Sequence, residues 1–177
     1  KNMESIKRAN VEGKRVIVRV DFNVPFKDGE ITDDTRIVSS LKTIKYLVNH
    51  NAKVILLSHL GRVASMEDKE KKSLEVVAKH LSTLISTPIY FVPVTRGDLL
   101  TETIDNMNEG EIVLVENTRF EDYPRMLESS CDEALSKYWA SLGDIFVNRE
   151  TSFVPFFKLI FSHLSFIYPS KSPINIF

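Results

Sequence analysis

Cysteine occurs once in this chain, at Cys131, so no internal disulfide framework holds it together and its composition fits a reducing compartment. Charge of one sign is not in excess either. Twenty-three Lys and Arg stand against 24 Asp and Glu, a formal net charge of −1, which leaves no global basic field of the kind that draws nucleic acid. Any anion site must therefore come from local clustering. The first ten residues, KNMESIKRAN, hold no apolar stretch and no small-residue cleavage site, so a secretory leader is not expected and the cytoplasm is the expected location. No membrane span is expected: the best candidate, Ser152–Tyr168, falls short of the roughly 20 residues a membrane helix needs and contains Pro155, Lys158 and His163. Neither GxxxxGK(S/T) nor GxGxxG occurs, so no glycine-rich loop of familiar mechanism cradles a nucleotide's phosphates. There is no internal repeat.

What is present reads as one ordinary globular domain with a core: 177 residues, 43% hydrophobic and 27% charged. Five short apolar runs rich in β-branched residues recur: Val16–Val20, Val54–Leu57, Ile89–Val92, Ile112–Val115 and Ile145–Val147. They read as buried strands. Between them lie helical stripes: Ile37, Leu41, Ile44, Leu47 and Val48; Leu74, Val77, Ala78, Leu81 and Ile85; Leu135, Tyr138, Trp139 and Leu142. Thr95–Asn108 is a weaker helix, with Gly110 as its expected C-cap. The alternation predicts a three-layer, doubly wound parallel sheet of the Rossmann-like α/β class. Phe26–Ile31, with its Asp28-Gly29 pair, predicts a small hairpin. Thr32-Asp33-Asp34 should then cap a helix that carries Arg36 in its first turn. Lys69–Lys72 reads as a solvated loop face, and Arg19, inside a strand, as structural.

In open parallel sheets ligands bind beyond the carboxyl ends of the strands. The residues there are Asp21-Phe22-Asn23 after the first strand, Ser58-His59-Leu60-Gly61-Arg62 after the second, and Glu116-Asn117-Thr118-Arg119-Phe120 after the fourth. Taken singly, Arg62 or Arg119 is an ordinary ion-pair partner, His59 a structural histidine, and Asp21 or Asn23 a turn residue. Their joint placement after separate strands instead predicts a cationic cleft of Arg36, His59, Arg62 and Arg119. Guanidinium groups bind phosphate and carboxylate bidentately, and Asp21 and Asn23 can hold a hydroxyl between two anionic ends. A phosphorylated hydroxy acid fits this inventory.

The segments RVDFNVP (Arg19–Pro25), ITDDTRI (Ile31–Ile37), LLSHLGR (Leu56–Arg62), LVENTRF (Leu114–Phe120) and YWASLGDIFVN (Tyr138–Asn148) closely resemble the amino-terminal domain of phosphoglycerate kinase, from about Val11 to Asn148. The resemblance implies one domain of a two-domain kinase that transfers a phosphoryl group from 1,3-bisphosphoglycerate to ADP, yielding 3-phosphoglycerate and ATP. It implies that Asp21, Asn23, Arg36, His59, Arg62 and Arg119 bind 3-phosphoglycerate, with the backbone around Phe22, Leu60 and Gly61 lining the site. Arg36 is then the residue to contact the group in flight. The magnesium nucleotide, Mg-ATP or Mg-ADP, is implied on a carboxyl-terminal domain outside this chain; no metal site is expected here. Members of the family are usually monomeric.

The resemblance stops at Asn148, where the family continues with Asp and an AFGTAHR-like run. This chain reads Arg149-Glu150-Thr151-Ser152-Phe153, and residues 149–177 hold six of its eleven Phe. Two units are therefore expected: the substrate-binding domain, 1–148, and an aberrant tail, 149–177, of a truncated or frameshifted product inactive on its own. The alternatives are a non-catalytic phosphometabolite-binding module and an unstable gene product. Lacking a sixth strand, the sheet is expected to leave an edge.

Overall fold

The computed structural model describes residues 6–7 and 9–149. Five strands, β1 (Arg15–Arg19), β4 (Lys53–Leu57), β5 (Ile89–Val92), β6 (Ile112–Val115) and β7 (Ile145–Asn148), form one sheet in the order β5-β6-β4-β1-β7. Every pairing is parallel, with Val16 beside Val54 and Ile145, and Ile112 beside Val54 and Ile89. The short β2 (Phe26–Lys27) and β3 (Glu30–Ile31) make the predicted hairpin. Helices α1 (Thr35–Asn49), α2 (Met66–Lys71), α3 (Glu75–Leu84), α4 (Asp98–Asp105) and α5 (Glu133–Ser141) fill the crossovers.

Alternate residues of each strand point to opposite faces, and both faces are buried. Val16, Val18, Val54, Leu56, Ile112, Leu114 and Val147 pack with Ile37, Ile44 and Leu47 of α1 and Val77 and Leu81 of α3. Ile17, Ile55, Leu57, Val113, Val115 and Phe146 pack with Leu100 and Ile104 of α4 and Leu135 and Trp139 of α5. This explains why the strands read as continuous apolar runs, and it makes the domain the three-layer doubly wound α/β sandwich expected.

Local expectations are sharpened in one place, where Asp33 of the segment Thr32-Asp33-Asp34 supplies the cap, and differ in two. Asp34, the N-cap of α1, makes no capping bond. Asp33 does that work, its Oδ1 accepting from the Thr35 N–H at 2.9 Å and the Thr35 hydroxyl at 2.6 Å, because Asp34 is turned to His80 Nε2 at 2.8 Å. Gly110 does not cap α4, which ends at Asn106. It lies at φ +81° just before β6, where its N–H donates to the Ala52 carbonyl at 2.8 Å. Lys69–Lys71 lie in a helix rather than a loop, started by Ser65, whose hydroxyl accepts from the Asp68 N–H at 3.1 Å. That helix buries no side chain, so its solvated character stands. Among the described residues β7 pairs only with β1 and is an edge of the sheet; the tail that would cover it lies, from residue 150 on, outside the described residues.

Candidate functional site

Because the strands are all parallel and β6, β4 and β1 are consecutive neighbours, the segments after them meet at one edge of the sheet. Those after β1 and β4 are each anchored by a buried apolar side chain: Phe22 and Leu60 are fully buried. The backbone N–H of Phe22 donates to Ser58 Oγ at 3.0 Å and that of Gly61 to Asn23 Oδ1 at 2.8 Å, so the loops after β1 and β4 are stitched together. Gly61 sits at φ +63°, a left-handed conformation that favours glycine.

Asn117 joins the third loop to the second. Its side chain is wholly buried. Oδ1 accepts from the N–H groups of Leu60 and Arg119, both at 3.0 Å, and Nδ2 donates to the carbonyls of Leu60 and Lys72, both at 2.8 Å. All four hydrogen-bonding sites of the amide are used. The buried Glu116 accepts from the N–H of Leu74 at 2.8 Å and the hydroxyl of Ser73 at 2.7 Å, which ties the approach to α3 to the same edge.

On this frame the predicted polar residues fall into two linked groups. Arg36, half-exposed in the first turn of α1, donates from Nη1 to the Asn23 carbonyl at 2.6 Å and lies 3.4 Å from Asp21 Oδ1. Asp21 Oδ1 also accepts from the Asn23 N–H at 3.1 Å. Arg36, Asp21, Asn23 and Gly61 therefore form one array. The second group centres on a carboxylate that sequence reasoning passed over. Glu128 is 2% exposed and lies 3.3 Å from Arg19 Nη2 through Oε1 and 3.3 Å from Arg119 Nε through Oε2. Arg119 also faces Asp122 at 3.6 Å and Ser129 at 3.4 Å. Arg19 reaches His59 Nδ1 at 2.9 Å. Burial pushes the Glu128 carboxyl up, against the pull of Arg19 and Arg119 beside it.

Arg62 is exposed, and among the described residues its side chain joins no ion pair or hydrogen bond; only its carbonyl is held, by Lys72 Nζ. It is thus a cation left available at the same edge. Arg149, directly after β7, adds another, its backbone N–H donating to the Arg19 carbonyl at 2.7 Å and its Nη2 standing 3.5 Å from the Ser39 carbonyl. A groove of about 400 Å³ beside the ends of β5 and β6, lined by Lys69, Arg96, Phe120, Tyr123 and Arg125 among others, contains none of the predicted site residues.

Of the residues missed, Asn117 and Glu116 were visible only as members of a polar run after a strand. Glu128 gave no signal, since it lies in the irregular stretch before α5 and its partners are 9 and 109 residues away in sequence. Arg19 did carry one: a charged residue inside an apolar strand needs a buried partner.

The chain as a whole is similar to known proteins. The family model described as "Phosphoglycerate kinase" matches residues 6–152, slightly wider than the motifs alone suggest. Curated relatives named phosphoglycerate kinase include that of Lacticaseibacillus casei, 56% identical over 139 residues, 78% of this chain and 35% of the relative. That of Enterococcus faecalis is 54% identical over 145 residues, 82% of this chain and 36% of the relative. The chain therefore spans about a third of the length of the curated relatives it matches. Among solved structures, phosphoglycerate kinase from Coxiella burnetii aligns with a TM-score of 0.66 at 34% identity, covering 81% of this chain and 34% of the other. The enzyme from Pyrococcus horikoshii aligns with a TM-score of 0.69 at 32% identity, covering 81% and 35%. With its parallel sheet, its motifs and these matches in agreement, the chain belongs to the phosphoglycerate kinase family.

Proposed function

We propose that this chain is the 3-phosphoglycerate-binding half of a phosphoglycerate kinase, with residues 1–148 as the substrate domain and 149–177 as a segment outside it. The observation that carries the reading is the array of Arg36, Asp21, Asn23 and Gly61, built across neighbouring loops and flanked by Arg62, Arg119 and His59. Arg36 and Arg62 expose their guanidinium groups and would engage the anionic ends of 3-phosphoglycerate or 1,3-bisphosphoglycerate. Asp21 would accept from the substrate hydroxyl through Oδ2, since Oδ1 is taken by Asn23 and Arg36. In the family reaction the phosphoryl group leaves the acyl phosphate of 1,3-bisphosphoglycerate for the terminal oxygen of ADP. A cation fixed at the start of a helix suits Arg36 to steady the charge that develops on that group.

No glycine-rich phosphate loop occurs in the sequence to cradle a nucleotide. In this reading the nucleotide belongs to a second domain, and the isolated chain does not turn over. No helix among the described residues is long and apolar enough to cross a membrane; action as a monomer in the cytoplasm completes the proposal.

The experiment is titration of 3-phosphoglycerate into the folded chain, followed by amide NMR or calorimetry. Arg36→Ala and Arg62→Ala are the controls, chosen because neither residue has a buried partner. Each should weaken binding about 10- to 100-fold, the equivalent of roughly 1.5–3 kcal/mol for a charge-assisted bond. Absence of saturable binding to the folded parent refutes the reading.

A further inference from the structure

The group around Glu128 is more than a buried ion pair. Arg19 has nothing to accept with: a guanidinium only donates. At 2.9 Å from Arg19 Nη2, His59 Nδ1 must therefore be the acceptor, and the ring carries its proton on Nε2. Arg19 is itself held in place at both ends of its fork. Nη1 donates to Thr118 Oγ1 at 3.2 Å, Nη2 lies 3.3 Å from Glu128 Oε1, and the Thr118 hydroxyl lies 2.9 Å from the same Oε1. The other oxygen of Glu128 faces Arg119 Nε at 3.3 Å. One carboxylate thus touches two arginines from different segments, and one of them dictates the tautomer of a predicted substrate ligand.

We propose that Glu128 is a positioning residue: its buried carboxylate pins Arg19 and Arg119 together and, through Arg19, sets His59 as the Nε2–H tautomer, a hydrogen-bond donor toward an anionic substrate. The consequence for affinity rests on the substrate reading above; the tautomer does not. A second role for Glu128 makes the opposite prediction. If it were only a negative charge near the cleft, removing it would strengthen anion binding.

The test reads the His59 ring by long-range proton–nitrogen NMR in the ligand-free chain, and then titrates 3-phosphoglycerate. The parent should show an unprotonated Nδ1 and a protonated Nε2. Glu128→Gln should mix the tautomers and weaken 3-phosphoglycerate binding about tenfold. Thr118→Val keeps every charge but removes the hydroxyl between Arg19 and Glu128, and should mix the tautomers with the native amide dispersion retained. It decides the matter should Glu128→Gln not fold. A parent ring protonated on Nδ1, or an Nε2–H tautomer unchanged in a folded variant, overturns the proposal, as does tighter binding by Glu128→Gln. A parent that binds no 3-phosphoglycerate refutes the substrate reading alone, since the ligand-free spectra still report what Glu128 positions.

Discussion

Replacing Asn117 with alanine should cost far more than its size suggests. The methyl group leaves four backbone groups without their partners: the N–H and carbonyl of Leu60, the N–H of Arg119 and the carbonyl of Lys72. Leu60 is fully buried, so water cannot replace its two bonds; Arg119 and Lys72 lie nearer solvent and can be rehydrated. Each buried orphan costs about 1–3 kcal/mol, which puts the loss at roughly 2–6 kcal/mol. For a domain of this size that is a fall in Tm of roughly 4–24 °C, at about 2–4 °C per kcal/mol. Urea unfolding followed by fluorescence measures it directly. The only tryptophan, Trp139, is fully buried and donates its indole N–H to the Thr95 carbonyl at 2.8 Å, so it reports loss of the core. Asn106→Ala is the control, because the Asn106 amide is exposed and caps only Glu102 at 2.9 Å; it should stay within about 0.5 kcal/mol. A shift for Asn117→Ala inside the same limit, with an unchanged m-value, would refute the argument from buried unsatisfied groups.

Other expectations follow from single features. Gly143→Ala would place a methyl 2.6 Å from Ile17 Cγ1 and 3.1 Å from the Arg15 carbonyl, so it should destabilise by about 1–3 kcal/mol in the same urea assay. Gly61→Ala should cost about 1–2 kcal/mol from its left-handed backbone, with Gly61→Asn milder. The Lys72 side chain nearby, 3.1 Å from the added methyl, is flexible enough to move, so Lys72→Ala should not rescue the loss. Asp33 has its carboxyl held below the ordinary value of 3.8, first by the Thr35 hydroxyl and then by the Thr35 N–H. Because the folded value is the lower one, the cap's contribution is present above 3.8 and is lost as the pH falls through the folded value. Amide exchange in the first turn of α1 should accelerate over that acidic range in the parent and show no such step in Asp33→Ala.

Strand and helix positions were legible because burial on two faces leaves a strong mark: Val54–Leu57 or Ile112–Val115 have nowhere to put a polar side chain. The hairpin at Asp28-Gly29 and the start of α1 were likewise local matters of turn chemistry. Capping was harder to read. Asp33 and Asp34 are equivalent as residue types, and the choice between them is made by His80, 46 residues away on α3. The helix at Met66–Lys71 was hidden for a different reason: with no buried side chain it has no apolar stripe, and only Ser65 marks its start.

For the site, residue order alone set which cations and small polar side chains gather at one edge. Position after a parallel strand follows from the alternation of elements, so Asp21, Asn23, His59, Arg62 and Arg119 could be named without coordinates. Only the tertiary structure decided how they are held. Strand order sets β6, β4 and β1 side by side, and that adjacency lets Asn117 reach Leu60 and brings Glu128 between Arg19 and Arg119. Buried polar groups must find partners wherever the fold brings them, and those partners are set by distance in space, which sequence separation does not record.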